Sequence, residues 1–359
     1  MSGDVIVTIT LNTALHVDYA VGEAGPEGTR PISKPGYRAG GRGVTVARVL
    51  RAFGHDVLAA GLAGGVSGEL LREDLAKSGV PTAFTLIRGE SRRTFRFAGP
   101  GVPETGEVAA PPDRLAGPVL RFGEAGPYIT TEELGRFAAD YRRLLAGAAA
   151  VVLCGSLPDG LPADTYGSLV TYAAEAGVPV ILDAGGEELK HAVGHGPDLV
   201  VAETSSADPG LGAALRRLGA GAAAVTTGLE VRVVTAAGGW TAQIPAADSG
   251  LVPSPGLGVV PSPGLGVVPS AGLGVVPSAG LGVVPSAGLG VVPSLGRGAL
   301  VAGLVPGQLL GWSWPDRLRH ALALAAGGAR VPGGLEGRDH VDLAAYERLL
   351  DAVQVVPEP

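Results

Sequence analysis

Ala149-Ala150-Val151-Val152-Leu153-Cys154 runs directly into Gly155-Ser156-Leu157-Pro158. An uncharged apolar run without alternation describes a strand buried on both faces, as in a parallel sheet. The Gly-Ser-Leu-Pro segment ends it in a turn, and residues 163–176 resume as a helix. A second strand, 178–183, ends on Asp183. Working outward, strands are predicted at 5–11, 57–62, 82–87, 94–98, 199–202, 222–226 and 232–236. Residues 43–53 form a helix with Val46, Val49 and Leu50 on one face, and another helix lies near 69–78. Thr130 and Glu133 make a capping box ahead of Leu134, Phe137, Tyr141 and Leu144 at helical spacing. Further helices are predicted near 299–310, 315–326 and 342–353. Strands alternating with helices give an α/β chain whose mostly parallel sheet carries helices on both faces. In such sheets ligands bind beyond the carboxyl ends of the strands.

Composition narrows the partners. Lys+Arg is 27 against 34 Asp+Glu, a formal net charge of −7, which argues against a nucleic-acid surface. The single cysteine, Cys154, cannot form an internal disulfide and suits a reducing cytoplasm. The N-terminus has no basic region and reads as a strand rather than a signal peptide. No charge occurs between Asp248 and Arg297, but proline recurs every eight residues there and forbids a continuous spanning helix, so no membrane segment is expected.

Gly (59) and Pro (29) are in excess, and much of that excess is local. From Leu257 the unit L-G-V-V-P-S-(A/P/L)-G repeats to Gly296, with prolines at 261, 269, 277, 285 and 293. Each copy has little apolar surface to offset its ordering entropy. Residues 250–296 are therefore expected to be a disordered octapeptide insert in a single domain spanning 1–359; a spring-like or partner-binding segment is the competing reading. The remaining glycines cluster at predicted strand ends and ahead of helices: Gly40-Gly41-Arg42-Gly43, Gly64-Gly65, Gly155-Ser156, Thr226-Thr227-Gly228 and Gly296-Arg297-Gly298. A glycine turn before a helix offers free amide N–H groups and a positive dipole end, which suits phosphate. Any one of these turns alone is equally a tight α/β turn.

In their order and spacing these segments resemble the PfkB (ribokinase-like) sugar kinases, and within them the 1-phosphofructokinase and tagatose-6-phosphate kinase branch. Thr10-Leu11-Asn12-Thr13-Ala14-Leu15-His16 resembles T-L-N-P-A-L-D. Residues 39–50 resemble G-G-K-G-x-N-V-A-R, and Ser91-Arg92-Arg93-Thr94 resembles T-R-x-N. Residues 122–127 resemble F-N-E-P-G-P, residues 152–162 the G-S-L-P-x-G segment, residues 224–230 V-S-x-G, and residues 296–304 G-A-G-D-x-x-x-A-G. The resemblance implies a ribokinase-like three-layer sandwich with a small β-sheet lid drawn from about 12–40 and 82–125. It implies ATP-dependent phosphoryl transfer to a sugar phosphate, with Mg²⁺ between the ATP phosphates and a homodimer formed through the lid. Residue by residue, it places His16, Asp18, Gly40, Gly41, Arg42, Thr45, Arg92 and Glu124 at the sugar phosphate. It places Asp183, Glu203, Thr226 and Gly228 at the nucleotide, and Gly296, Arg297 and Gly298 at the catalytic anion-hole turn. Arg42 and Arg92 are the foremost candidates for phosphate ligands.

The departures fall on chemistry. No Asp follows the Gly296-Arg297-Gly298 turn: aligning on Ala302-Gly303 puts Gly298 in its place, aligning on the turn puts Ala299 there. His16 stands for a sugar-binding Asp, with Asp18 two residues on. Arg42 stands for Lys and Thr45 for Asn. The K-P-N-x-x-E segment is Val201-Ala202-Glu203-Thr204-Ser205-Ser206, which lacks the residues thought to organise Mg²⁺, Glu203 being the one partial substitute. A sugar-phosphate kinase of low turnover is expected; the alternative is a non-catalytic relative that binds sugar phosphate or nucleotide. The six histidines show no metal-ligand spacing and read as surface or turn residues. Arg317, Arg319 and Arg330 read as solvated helix faces, Cys154 as a small core residue, and Trp312 and Trp314 as packing under the last helices.

Overall fold

The computed structural model describes residues 5–25, 27–99, 119–204, 210–228, 230–244, 296–329 and 343–358. Residues 257–295 of the octapeptide repeats, Arg330 and His340 lie outside these residues.

Among the described residues the large sheet has ten strands. Its centre is β1 (Val5–Thr10), flanked on one side by β4 (Val57–Gly64) and β5 (Thr82–Ile87). On the other side follow β8 (Ala148–Cys154), β9 (Val180–Asp183), β10 (Leu199–Glu203) and β11 (Ala222–Thr227). All of these run parallel. The far edge is antiparallel: β12 (Glu230–Val234), β13 (Gly239–Gln243) and β14 (Gln354–Glu358). A separate four-stranded sheet has the order β3 (Gly36–Gly40), β2 (Ala14–Ala20), β6 (Arg92–Ala98), β7 (Val119–Gly123). Thr82–Ile87 thus belongs to the edge of the large sheet, and the small sheet draws on 14–20, 36–40, 92–98 and 119–123.

Alternation along each central strand divides the core in two. Ile6, Val152 and Cys154 point to one layer, which packs α1 (Arg42–Ala52), α2 (Gly65–Lys77), α7 (Arg297–Leu309), α8 (Trp314–Ala329) and α9 (Leu343–Ala352). Val7, Val151 and Leu153 point to the other, against α3 (Thr131–Leu145), α4 (Thr165–Glu175), α5 (Gly186–Ala192) and α6 (Leu211–Leu218). The result is a three-layer α/β sandwich, as the alternation predicts. The Thr130 capping box forms: Thr130 Oγ1 accepts from the Glu133 amide, and Glu133 accepts from the Thr130 amide. Among the described residues no helix is long and apolar enough to cross a membrane.

Two expectations are corrected. Arg317 is not a solvated face: it donates to the Trp312 carbonyl at 2.9 Å and to Gln308 Oε1 at 2.6 Å, and its guanidinium lies 4.7 Å from the Trp314 ring centroid. His320 is buried rather than superficial, hydrogen-bonded to Tyr346 and ringed edge-on by Phe53, Trp312 and Tyr346. The first follows from the close approach of α7 and α8, where a side-chain carbon on Gly303 would meet Ala321 Cα at 2.5 Å, and the second from Tyr346 of α9 and Phe53 closing over His320. Trp314 stacks on Trp240, so the two tryptophans do pack under the last helices.

Candidate functional site

The chain turns one way from β1 to β4 and β5, and the other way from β8 to β9, β10 and β11. The switch point therefore lies between the carboxyl ends of β1 and β8, where open α/β sheets bind ligands. Asn12, just past β1, donates through Nδ2 to Ser156 Oγ at 3.2 Å, just past β8. Among the described residues, Asn12 Oδ1 is buried without a hydrogen-bond partner. Sequence reasoning did not single out Asn12; its signal was its place directly after the first buried strand.

Two helix N-termini converge beside this point. Gly41 precedes α1 at φ 117°, a conformation that L side chains rarely adopt, and a side chain on Gly43 would reach Thr10 Oγ1 at 2.4 Å. Gly296 precedes α7, and a side-chain carbon on Gly298 would meet Thr45 Cγ2 at 2.7 Å. Neither helix has a side-chain cap or an acidic residue in its first turn. Their first amides and positive dipole ends are thus set side by side at the carboxyl edge of the sheet. Gly296 immediately precedes α7, Arg297 and Gly298 are its first two residues, and none of the three carries a carboxylate.

Charge concentrates next to it. Asp183, fully buried at the end of β9, accepts from Arg297 Nη2 at 2.5 Å and from Arg42 Nη1 at 3.2 Å. Arg297 Nη1 also reaches Glu203 Oε2 at 3.2 Å, and Nη2 reaches the carbonyls of Val201 at 3.1 Å and Ala184 at 3.4 Å. Burial pushes the Asp183 carboxyl above its ordinary pKa, and Arg297 and then Arg42 oppose the push. Burial, with Asp183 close by, likewise raises the Cys154 thiol, which marks a core residue rather than a nucleophile. Thr226, in register with Glu203, donates to the Ala202 carbonyl, and Gly228 turns the chain at φ 58° after β11. Asp183, Glu203, Thr226 and Gly228 therefore line successive strand ends.

The small sheet rises from the same place. Ala14 is in register with both Gly40 and Arg92. His16 packs on Gly40, whose side-chain position its ring fills, and hydrogen-bonds Thr94. Asp18 pairs with Arg38 at 2.7 Å. The strand registers put His16, Asp18, Arg38, Arg92 and Arg96 on one face, with Arg121 opposite Arg96. Glu124 is not brought to that face: it aligns with Arg93, accepts from its backbone at 2.8 Å and grips its guanidinium at 2.6–3.1 Å.

A nucleotide phosphate fits the paired helix N-termini. A divalent cation does not fit the carboxylates present, because the guanidinium of Arg297 already lies between Asp183 and Glu203. Among the described residues no group of three His, Cys, Asp or Glu could hold a metal ion.

Sheet order, layers and switch-point site define a ribokinase-like α/β sandwich. Comparison with known proteins agrees. Residues 5–98 match the pfkB family carbohydrate kinase profile. A tagatose-6-phosphate kinase of Staphylococcus epidermidis is 31% identical over 185 residues, covering 52% of this chain and 54% of the relative. The chain thus spans about half the length of the curated relatives it matches. In structure it matches the possible 1-phosphofructokinase of Thermotoga maritima at a TM-score of 0.71 and 19% identity, covering 99% of this chain and 100% of the other. Phosphofructokinase-2 of Escherichia coli gives 0.70 and 20%, with 96% and 98% covered. Residues 5–98 are thus similar to the pfkB family carbohydrate kinases, and a stretch of 185 residues is similar to tagatose-6-phosphate kinase.

Proposed function

We propose that this protein is a sugar-phosphate kinase of the 1-phosphofructokinase and tagatose-6-phosphate kinase type, working at low turnover. The observation that carries this is the pairing of the α1 and α7 N-termini at Thr45 and Gly298, between a cationic sheet face and a row of strand ends. The sugar phosphate lies against Arg42 and the small-sheet face of Arg38, Arg92 and Arg96, with His16 and Asp18 beside it. That sheet acts as the lid. ATP lies over the ends of β9, β10 and β11, its phosphates on the α7 turn. In the reaction the acceptor hydroxyl oxygen bonds to the γ-phosphorus, the bond from that phosphorus to the β–γ bridging oxygen breaks, and ADP leaves. The hydroxyl proton has no carboxylate waiting for it on the α7 turn and passes to water. Losing a positioned base lowers the rate by ~10²–10⁴-fold.

The test is phosphate transfer from γ-labelled ATP by purified protein to a panel including fructose 1-phosphate and tagatose 6-phosphate. Slow transfer to one of them is expected; a rate equal to the protein-free blank on every sugar would reject the kinase reading. One observation favours a second reading. Arg297 is committed to Asp183 and Glu203, which suits a non-catalytic chain that binds the same ligands. Thermal stabilisation by sugar phosphate without transfer would select it. A homodimer through the lid is supported by Tyr37, Leu120 and Phe122, large apolar residues exposed on the small sheet.

A further inference from the structure

We infer that Arg297 is a tethered cation standing in the place of a divalent metal ion between Asp183 and Glu203, so that this site takes no Mg²⁺. The guanidinium meets four oxygens: two carboxylates, from Asp183 and Glu203, and two backbone carbonyls, from Ala184 and Val201. Carboxylates and carbonyls are the donors a hard divalent cation uses. Here they converge on an arginine whose side chain is itself largely buried, 17% exposed. A cation is needed there. Asp183 is wholly buried, and a carboxylate so placed is stable only when paired. Arg42 supplies one partner at 3.2 Å and Arg297 the closer one at 2.5 Å. Two guanidiniums against two carboxylates leave the cluster self-neutralised. A metal ion entering it would have to expel a charge-assisted hydrogen-bond network and add two positive charges to a balanced set. The sequence favours the same outcome: Arg297 sits inside the Gly296–Gly298 turn, which fixes its backbone at the start of α7. The consequence for the nucleotide, that ATP binds as well without magnesium as with it, rests on the kinase reading above. Exclusion of the metal from the Asp183–Glu203 pair does not.

The experiment titrates MnCl₂ into wild type, Arg297→Gln, Glu203→Gln and the double variant Arg297→Gln/Asp183→Asn, reading free Mn²⁺ by electron paramagnetic resonance and Tm by scanning fluorimetry. Wild type is expected to take up no Mn²⁺ at this pair. Arg297→Gln is expected to take up one ion per chain and to gain thermal stability from MnCl₂, and the double variant to lose both. Uptake by wild type that Glu203→Gln abolishes would overturn the inference. So would an Arg297→Gln chain that folds and takes up none. If Arg297→Gln fails to fold, wild type and Glu203→Gln decide through two further scans, ATP with EDTA and ATP with MgCl₂. A larger shift of Tm with MgCl₂ that Glu203→Gln abolishes overturns the inference; equal shifts, or a larger one that Glu203→Gln leaves intact, support it. If ATP in neither form shifts Tm, the nucleotide reading fails, while the Mn²⁺ titration of wild type and Glu203→Gln still decides the cation.

Discussion

A side-chain carbon on Gly298 would lie 2.7 Å from Cγ2 of Thr45, so the first turns of α7 and α1 pack without a spacer. That contact brings the two uncapped helix starts together. It also explains why residue 298 is glycine although it lies within a helix, where glycine is costly relative to alanine. Replacing Gly298 with Val overpacks the junction and is expected to cost ~1–3 kcal/mol. Thr45→Ser removes the opposing methyl while keeping the hydroxyl that donates to the Gly41 carbonyl. Urea unfolding of both single variants and the double variant measures the coupling; the serine is expected to restore part of the loss, and strict additivity would refute the contact.

The Asp183 cluster makes a second prediction. Asp183→Ala leaves Arg297 and Arg42 without their shared buried partner and is expected to destabilise by ~3–5 kcal/mol. Arg42→Ala is expected to cost far less, because its side chain is 30% exposed and Arg297 remains on Asp183. Guanidinium chloride unfolding of the two variants ranks them, and the reverse order would contradict the assignment of Arg297 as the main partner.

Arg93 and Glu124 provide a contrast. Their pair is well formed at 2.6 Å but partly exposed on both sides, so Glu124→Gln is expected to change stability by less than about 1 kcal/mol. Because Glu124 aligns with Arg93 and not with Arg92, the same variant is expected to leave sugar-phosphate affinity nearly unchanged, whereas Arg92→Ala weakens it. Calorimetric titration with the sugar phosphate separates the two.

Burial, and then the charge of His55, hold the His320 imidazole down to about 4. A histidine in the unfolded chain titrates near 6.5. The unfolded state therefore binds more protons between these values, and the contribution of neutral His320 is complete above pH 6.5 and lost as pH falls through about 4. The difference amounts to roughly 3 kcal/mol over the window. His320→Gln is expected to flatten that part of the stability profile, measured by urea midpoints from pH 7 to pH 4. Parallel profiles for both proteins would show that the ring does not carry the effect.

Much of this architecture could be read from periodicity. The apolar runs at 149–154 and 178–183 have the buried-strand composition, and the strands formed there are Ala148–Cys154 and Val180–Asp183. Thr130 and Glu133 announced their helix because a capping box is a local hydrogen-bond pattern. The short helices α5 and α6 and the edge strands β13 and β14 were not legible. Their few apolar positions gain meaning only against the sheet they cover, and β14 pairs with β13 from more than a hundred residues away. Strand β12 lies at Glu230–Val234 rather than 232–236, since tertiary pairing with β11 sets its ends. At the site, glycine turns and family-like motifs were visible as segments. What the chain order could not reveal was which charges meet: Arg297 with Asp183 and Glu203, Glu124 with Arg93, and Asn12 with Ser156.

Phosphoryl transfer at the α7 turn is proposed to be slowed by the missing carboxylate. It is tested by inserting Asp between Gly298 and Ala299, in a Thr45→Ser background that makes room for it, and measuring kcat with γ-labelled ATP on the sugar phosphate that wild type accepts. Ala299 is wholly buried in the core, so insertion, which leaves it there, is the change that can present a carboxylate at the turn. A rise of ~10²–10⁴-fold is predicted. A folded variant that binds both ligands and transfers phosphate no faster than wild type would contradict the account.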